Sequence, residues 1–129
     1  MTELPKLGQV LNYVYLFRHE ASLREEGVKD RPVVVIDVNE TTKRVAVLPV
    51  TSQGERYKGA VSIPPDLGQA ANLRPPSAIL VSEFNFFTWL GFDLRPLASS
   101  GGFVIGRLPP GFTAKIRLLA ATAKPVERD

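Results

Sequence analysis

Hydrophobic and polar positions alternate along this chain with a short period until near its end, where the period lengthens. Residues 10–17, Val-Leu-Asn-Tyr-Val-Tyr-Leu-Phe, form a block of β-formers bounded by charge and predict a strand. Residues 18–30 are polar, with five acidic or basic residues from Arg24 to Asp30. Gly27 and Pro32 favour a loop or a short helical turn there over a full helix. Residues 32–38, Pro-Val-Val-Val-Ile-Asp-Val, are a β-branched run too short for a helix and predict a central strand with proline at its entry. A turn at residues 39–43 returns the chain through residues 44–50 as the antiparallel partner. Pro49, so near that strand's end, predicts a sheet edge or a bulge.

Shorter elements follow. Residues 60–63 alternate as a brief strand, Pro64-Pro65 stops it, and residues 66–71 suit one helical turn. Residues 77–81 and 84–89 predict two more strands, and residues 103–106 a last one beyond a loop at 91–102. Then Phe112, Ile116, Leu119, Ala120 and Ala123 recur at helical spacing between Pro110 and Pro125, which predicts an amphipathic helix. Many short strands followed by one helix imply a mainly β protein, an antiparallel barrel or rolled sheet capped by a C-terminal helix.

Length and composition narrow this little further. A chain of 129 residues suits one domain, with a core over about 8–123 and flexible termini. The formal charge of +3 mildly favours anionic partners but is less lopsided than a dedicated nucleic-acid arm. With no cysteine, disulfides, thiolate metal sites and cysteine nucleophiles are excluded. The one histidine, His19, excludes a two-histidine ribonuclease mechanism and a multi-histidine metal site. The N-terminus lacks the apolar run of a signal peptide, and no stretch approaches the length needed to span a membrane. A cytoplasmic protein without membrane association, metal or other cofactor is the expectation.

Several of these segments together resemble the MazF/PemK toxin family. They are Gly8-Gln9-Val10, Arg31-Pro32-Val33-Val34-Val35-Ile36, Val47-Leu48-Pro49-Val50-Thr51-Ser52, Leu73 with Ser77, and Gly106-x-Leu108 before the last helix. The resemblance implies an SH3-like antiparallel β-barrel with a C-terminal helix, commonly a homodimer. It further implies a toxin of a toxin–antitoxin pair that cuts single-stranded RNA without metal and is covered by a small antitoxin. Position by position, it assigns catalysis to Arg31, before the proline, and Thr51, after Pro-x. Glu26 stands where some members place an acidic participant. Ser52, Ser77 and Asn85 are the candidate substrate-binding residues.

The sequence departs from the family at Glu83-Phe84-Asn85, where a basic or amide-rich stretch is usual. An acid there would repel phosphate. Plainer readings accompany each site residue. Arg31 could form an ion pair with Glu25, Glu26 or Asp30, Thr51 could be a turn-former, and Ser77 a structural hydroxyl. The aromatics of residues 84–89 could stack unpaired bases, although alternate aromatics on a strand are more often core. Three functions stay open: an endoribonuclease toxin, a non-catalytic barrel that acts by binding a protein partner, and a general ligand- or RNA-binding module.

Overall fold

The computed structural model describes residues 3–17, 30–91 and 93–129. Its centre is the hairpin that the sequence predicts most clearly. Strand β2 (Asp30–Asn39) and strand β3 (Arg44–Thr51) pair antiparallel, with Val33 opposite Pro49, Val34 opposite Leu48 and Val35 opposite Val47. Asn39 closes the turn between them. Its side-chain oxygen accepts from the N–H groups of Thr41 and Thr42, each at 3.0 Å. The register shifts between Val35 and Asp37, leaving Ile36 as the extra residue of a bulge. The bulge therefore lies in β2 and not at Pro49.

Pro49 marks a different event. One edge of β3 is covered by β2, but its other edge is divided between two partners. Strand β6 (Glu83–Thr88) pairs with residues 44–47, and strand β5 (Ala78–Ile79) pairs with Val50 and Thr51. Pro49, which has no N–H to give, sits where the ladder changes hands, and its carbonyl accepts from Leu80 N–H at 3.1 Å. On the far side, strand β1 (Gln9–Val14) pairs with β2, and strand β7 (Val104–Arg107) pairs with β1. Strand β4 (Val61–Ser62) flanks β5. Helix α1 (Pro65–Ala70) follows β4, and helix α2 (Pro110–Leu119) follows β7. The sheet curls into a half-barrel. The protein is mainly β with a C-terminal helix, as expected.

Two glycines permit close approaches. Gly8, at φ +86, lies so near α2 that an added Cβ would stand 2.6 Å from Thr113 Oγ1. Gly106 in β7 lies against the end of α1, where a Cβ would stand 2.6 Å from the carbonyl carbon of Ala71.

Both faces of the sheet are covered. Val10, Val34, Leu48 and Ile79 pack against Ile116 of α2 on one face, while Leu11, Tyr13, Val33, Val47 and Phe87 cluster on the other. This explains why residues 32–38 read as a continuous apolar run and not as an alternating one. The predicted helical stripe is met at Ile116 and Ala120, which are buried, but not at Leu119, which is 47% exposed.

The sheet also continues past residue 123, where the sequence pattern stops. Strand β8 (Lys124–Glu127) lies parallel to β6. Arg128 beyond it makes a two-point ion pair with Asp93 (Nε to Oδ2 2.9 Å, Nη2 to Oδ1 3.0 Å), with both side chains buried. Arg44 fastens the same edge by reaching both Glu127 and Asp129. Among the described residues no helix is long and apolar enough to cross a membrane.

Candidate functional site

Paired residues on neighbouring strands share a face, and those two further along each strand return to it. Val33 opposes Pro49, so Arg31 and Thr51, two residues beyond, come to the same face at the same end of the hairpin. They line one open cleft of ≈ 420 Å³ together with Ser52, Ser77, Arg74 and Tyr57. The convergence of Arg31, Thr51, Ser52 and Ser77, which the sequence motifs suggest, is therefore present. Arg74 and Tyr57 were not singled out by any motif. Their signal was weak, a basic residue before Pro75-Pro76 and an aromatic within a polar loop.

Arg31 is half-buried, and its guanidinium carbon stands 4.8 Å from the ring centroid of Phe17. That cation–π contact holds the guanidinium over the ring. Its Nε is buried and has no hydrogen-bond partner among the described residues. The ion-pair alternative is not met by Asp30, whose carboxylate accepts instead from Asn12 Nδ2 at 2.8 Å. Glu25 and Glu26 lie outside the described residues.

The hydroxyls around the cleft have separate roles. Thr51 Oγ1 accepts from the N–H of Gln53 at 3.0 Å, as a turn-former does. Accepting leaves its own proton free to donate to a ligand. Ser77 has the opposite arrangement, for its hydroxyl donates to the carbonyl of Arg74 at 2.8 Å. It retains only lone pairs to offer. Thr51, Ser52 and Ser77 also wall a second cavity of ≈ 320 Å³, which reaches Glu55 and Ser62.

Asn85 must be removed from the site. It is fully buried, its Oδ1 accepts from the N–H of Leu16 at 2.9 Å, and its Nδ2 donates to the carbonyl of Leu16 at 2.8 Å. The side-chain amide supplies the partner that a neighbouring strand would otherwise give to Leu16, and nothing remains for a substrate. Glu83 stays away from the cleft as well. It accepts from the hydroxyl of Tyr15 at 3.4 Å, so its repulsion of phosphate at Arg31 is not a concern.

The aromatic block is largely core. Phe87 is buried and stacks on Tyr13 at 5.1 Å between centroids, and Trp89 packs edge-on against Phe103 at 5.5 Å. Tyr13 and Tyr15 are also buried. Burial first, and then the neighbouring Asp93 and Glu83 respectively, push both phenols well above the ordinary tyrosine range.

Comparison with known proteins identifies the family and the fold. The sequence model of the PemK-like, MazF-like toxin of type II toxin-antitoxin system matches residues 13–86, which is more than half of the chain's 129 residues. The chain belongs to this toxin family. The matched span holds Arg31, Thr51, Ser52 and Ser77, and it ends inside β6.

Solved structures extend the likeness to the whole fold. The crystal structure of MazF (Form-I) from Deinococcus radiodurans is 20% identical, with TM-score 0.61, over 94% of this chain and 96% of that one. Crystal structures of MazE-MazF from the same organism are similar. Form-III is 18% identical with TM-score 0.60 over 93% and 95% of the two chains, and Form-II is 17% identical with TM-score 0.59 over 94% and 95%. At these identities they speak for the MazF fold alone. Curated protein sequences give no match.

Proposed function

We propose that this PemK/MazF-like toxin is a metal-independent endoribonuclease that cleaves single-stranded RNA in the cytoplasm and is neutralised by a small antitoxin. The observation that carries the proposal is the cleft shared by Arg31 and Thr51, open to solvent and also lined by Arg74 and Tyr57.

In the proposed reaction the ribose 2′-oxygen attacks the adjacent phosphorus. The bond to the 5′-oxygen breaks, and negative charge gathers on the phosphoryl oxygens. The Arg31 fork, held over the ring of Phe17, suits those oxygens, and the free proton of Thr51 adds a second donor. Glu26 is the proposed acceptor of the 2′-hydroxyl proton. Ser52 and Ser77 are proposed to contact the substrate.

The test is cleavage of long RNA in the presence of EDTA. Loss of a preorganised donor typically costs ~10²–10³ in rate. Arg31→Ala and Thr51→Ala should each fall by about that factor while keeping the native melting profile. Intact RNA after incubation with high concentrations of folded wild-type protein would sink the enzyme reading.

One observation favours a second reading, a barrel that acts by binding protein. Phe84, Phe86 and Ile36 line an apolar groove of ≈ 690 Å³ beside α2, and Leu118 on its rim is 78% exposed. A homodimer is also proposed to use this face. A monomer by sedimentation at micromolar concentration would refute the dimer. Growth inhibition that persists in Arg31→Ala would favour the protein-binding reading over the ribonuclease.

A further inference from the structure

The two cavities that meet at Thr51 differ in the hydrogen-bonding chemistry they present. On one side stand Arg31, Arg74, Tyr57 and the free proton of Thr51, which can all donate, with the Asp30 carboxylate at the same wall engaged by Asn12. Glu55 and Ser62 stand on the other side, and Ser77 lies on the wall the two cavities share. Glu55 is exposed, and its carboxylate makes no hydrogen bond or ion pair among the described residues. Ser77 has committed its proton to the carbonyl of Arg74, so it too offers only lone pairs.

The walls between these groups are small and apolar: Gly54, Ala60, Pro76 and Ala78. Gly54 lies so close to β5 that an added Cβ would stand 2.6 Å from that of Ala78, which keeps the floor bare of side chains. A slot with small apolar walls, edged by one carboxylate and by hydroxyls, suits a nucleobase read along its hydrogen-bonding edge. It suits a phosphate less well, because no arginine or lysine lines it to offset the Glu55 carboxylate.

We propose that the cavity beyond Thr51 is a base-reading subsite, in which Glu55 selects a nucleobase that donates hydrogen bonds. Guanine, cytosine and adenine carry amino donors on the edge that unpaired RNA exposes, whereas uracil presents two carbonyls there around a single N–H. A carboxylate beside a serine lone pair accepts the first three and repels the carbonyls of the fourth. The proposal rests on the RNA reading of the Arg31 cleft and adds the feature that would set its sequence preference.

The decisive experiment uses the full chain and dinucleotides with a 2′-deoxy sugar at the scissile position, which bind without being cut. Four such probes differ only in the base, A, C, G or U, and affinity is measured by titration calorimetry or NMR. Wild type should prefer amino-bearing bases over uracil by about tenfold, the discrimination expected of a good polar base contact. Glu55→Gln and Glu55→Ala should erase that preference, whereas Arg31→Ala should weaken all four probes alike. Equal affinity for the four probes in wild type would overturn the proposal, as would a loss in Glu55→Gln that is uniform across them. Sequencing the ends released from random RNA separates the two levels. Base-selective binding without any cleavage leaves the subsite standing and removes the enzyme. Cleavage whose base preference ignores Glu55 removes the subsite and leaves the enzyme.

Discussion

Asn85 offers the sharpest test of how this fold is held. Its amide makes two hydrogen bonds to the backbone of Leu16, at 2.9 and 2.8 Å, in a place closed to water. Replacing it with leucine, similar in size, orphans one buried N–H and one buried carbonyl. Each orphan costs about 1–3 kcal/mol, so the expected loss is about 4 kcal/mol. Set against a whole-domain stability of about 5–15 kcal/mol, that is a large share. With a urea slope of about 2 kcal/mol per molar, the midpoint should fall by about 2 M.

Asn85→Asp refines the test. The carboxylate still accepts from Leu16 N–H, but it turns an oxygen toward the Leu16 carbonyl. Protonation restores a donor, so the folded protein should hold that proton more tightly than the unfolded chain. The variant's stability is then greatest below the ordinary aspartate range and is lost as pH rises. Urea titrations followed by the fluorescence of Trp89, the single tryptophan, read both effects. A leucine variant within 1 kcal/mol of wild type would refute the reasoning. An RNA-cleavage defect at undiminished stability would refute it too, and would return Asn85 to the substrate.

Other predictions follow from burial and close packing. Tyr13 and Tyr15 stay protonated in the fold beyond the pH at which the unfolded chain ionises, about 10. Their contribution is whole below that pH and is lost above it, at about 1.4 kcal/mol per tyrosine per pH unit, so urea midpoints should drop steeply between pH 10 and 11. A flat profile would contradict this. Gly106→Ala presses a methyl into the Ala71 backbone and should cost about 1–3 kcal/mol or more by thermal melting. Gly111→Ala, with no atom within 4 Å, is the neutral control. Arg128→Ala strands Asp93 as a buried charge and should cost about 3–5 kcal/mol, most of it recovered when Asp93→Leu is combined with Arg128→Met. Failure of the pair to recover would show that the loss comes from elsewhere.

The sequence reveals what local pattern controls. The β2–β3 hairpin follows from a β-branched run, a turn and its return, and the same pairing brings Arg31 to Thr51. The missed parts depend on distant contacts. Lys124-Pro125-Val126-Glu127 has one buried apolar residue and a proline, which no strand pattern favours, yet a parallel edge beside β6 accepts it. Pro125 sits where a missing N–H costs little. Asp93 and Arg128 are far apart in sequence, and nothing local marks them as a pair. Asn85 reads as a substrate contact in sequence because an amide beside a motif looks the same whether it faces a ligand or a buried peptide. Leu119 fits the helical stripe by spacing, but Ile116 and Ala120 take the core-facing positions and leave it 47% exposed. Glu26 lies outside the described residues, so its place rests on resemblance.

The change of partners along β3 gives the cleft a mechanical property of its own. Thr51 stands on a ladder of only two paired residues to β5, beyond the point where Pro49 withholds an N–H, while the other end of the strand is bound along both edges. Regions with few backbone bonds open locally at lower free energy than the core. Amide hydrogens of residues 78–79 should therefore exchange with deuterium well before those of residues 45–47. The β5 wall of the cleft is then the part of its backbone that opens ahead of the middle of β3.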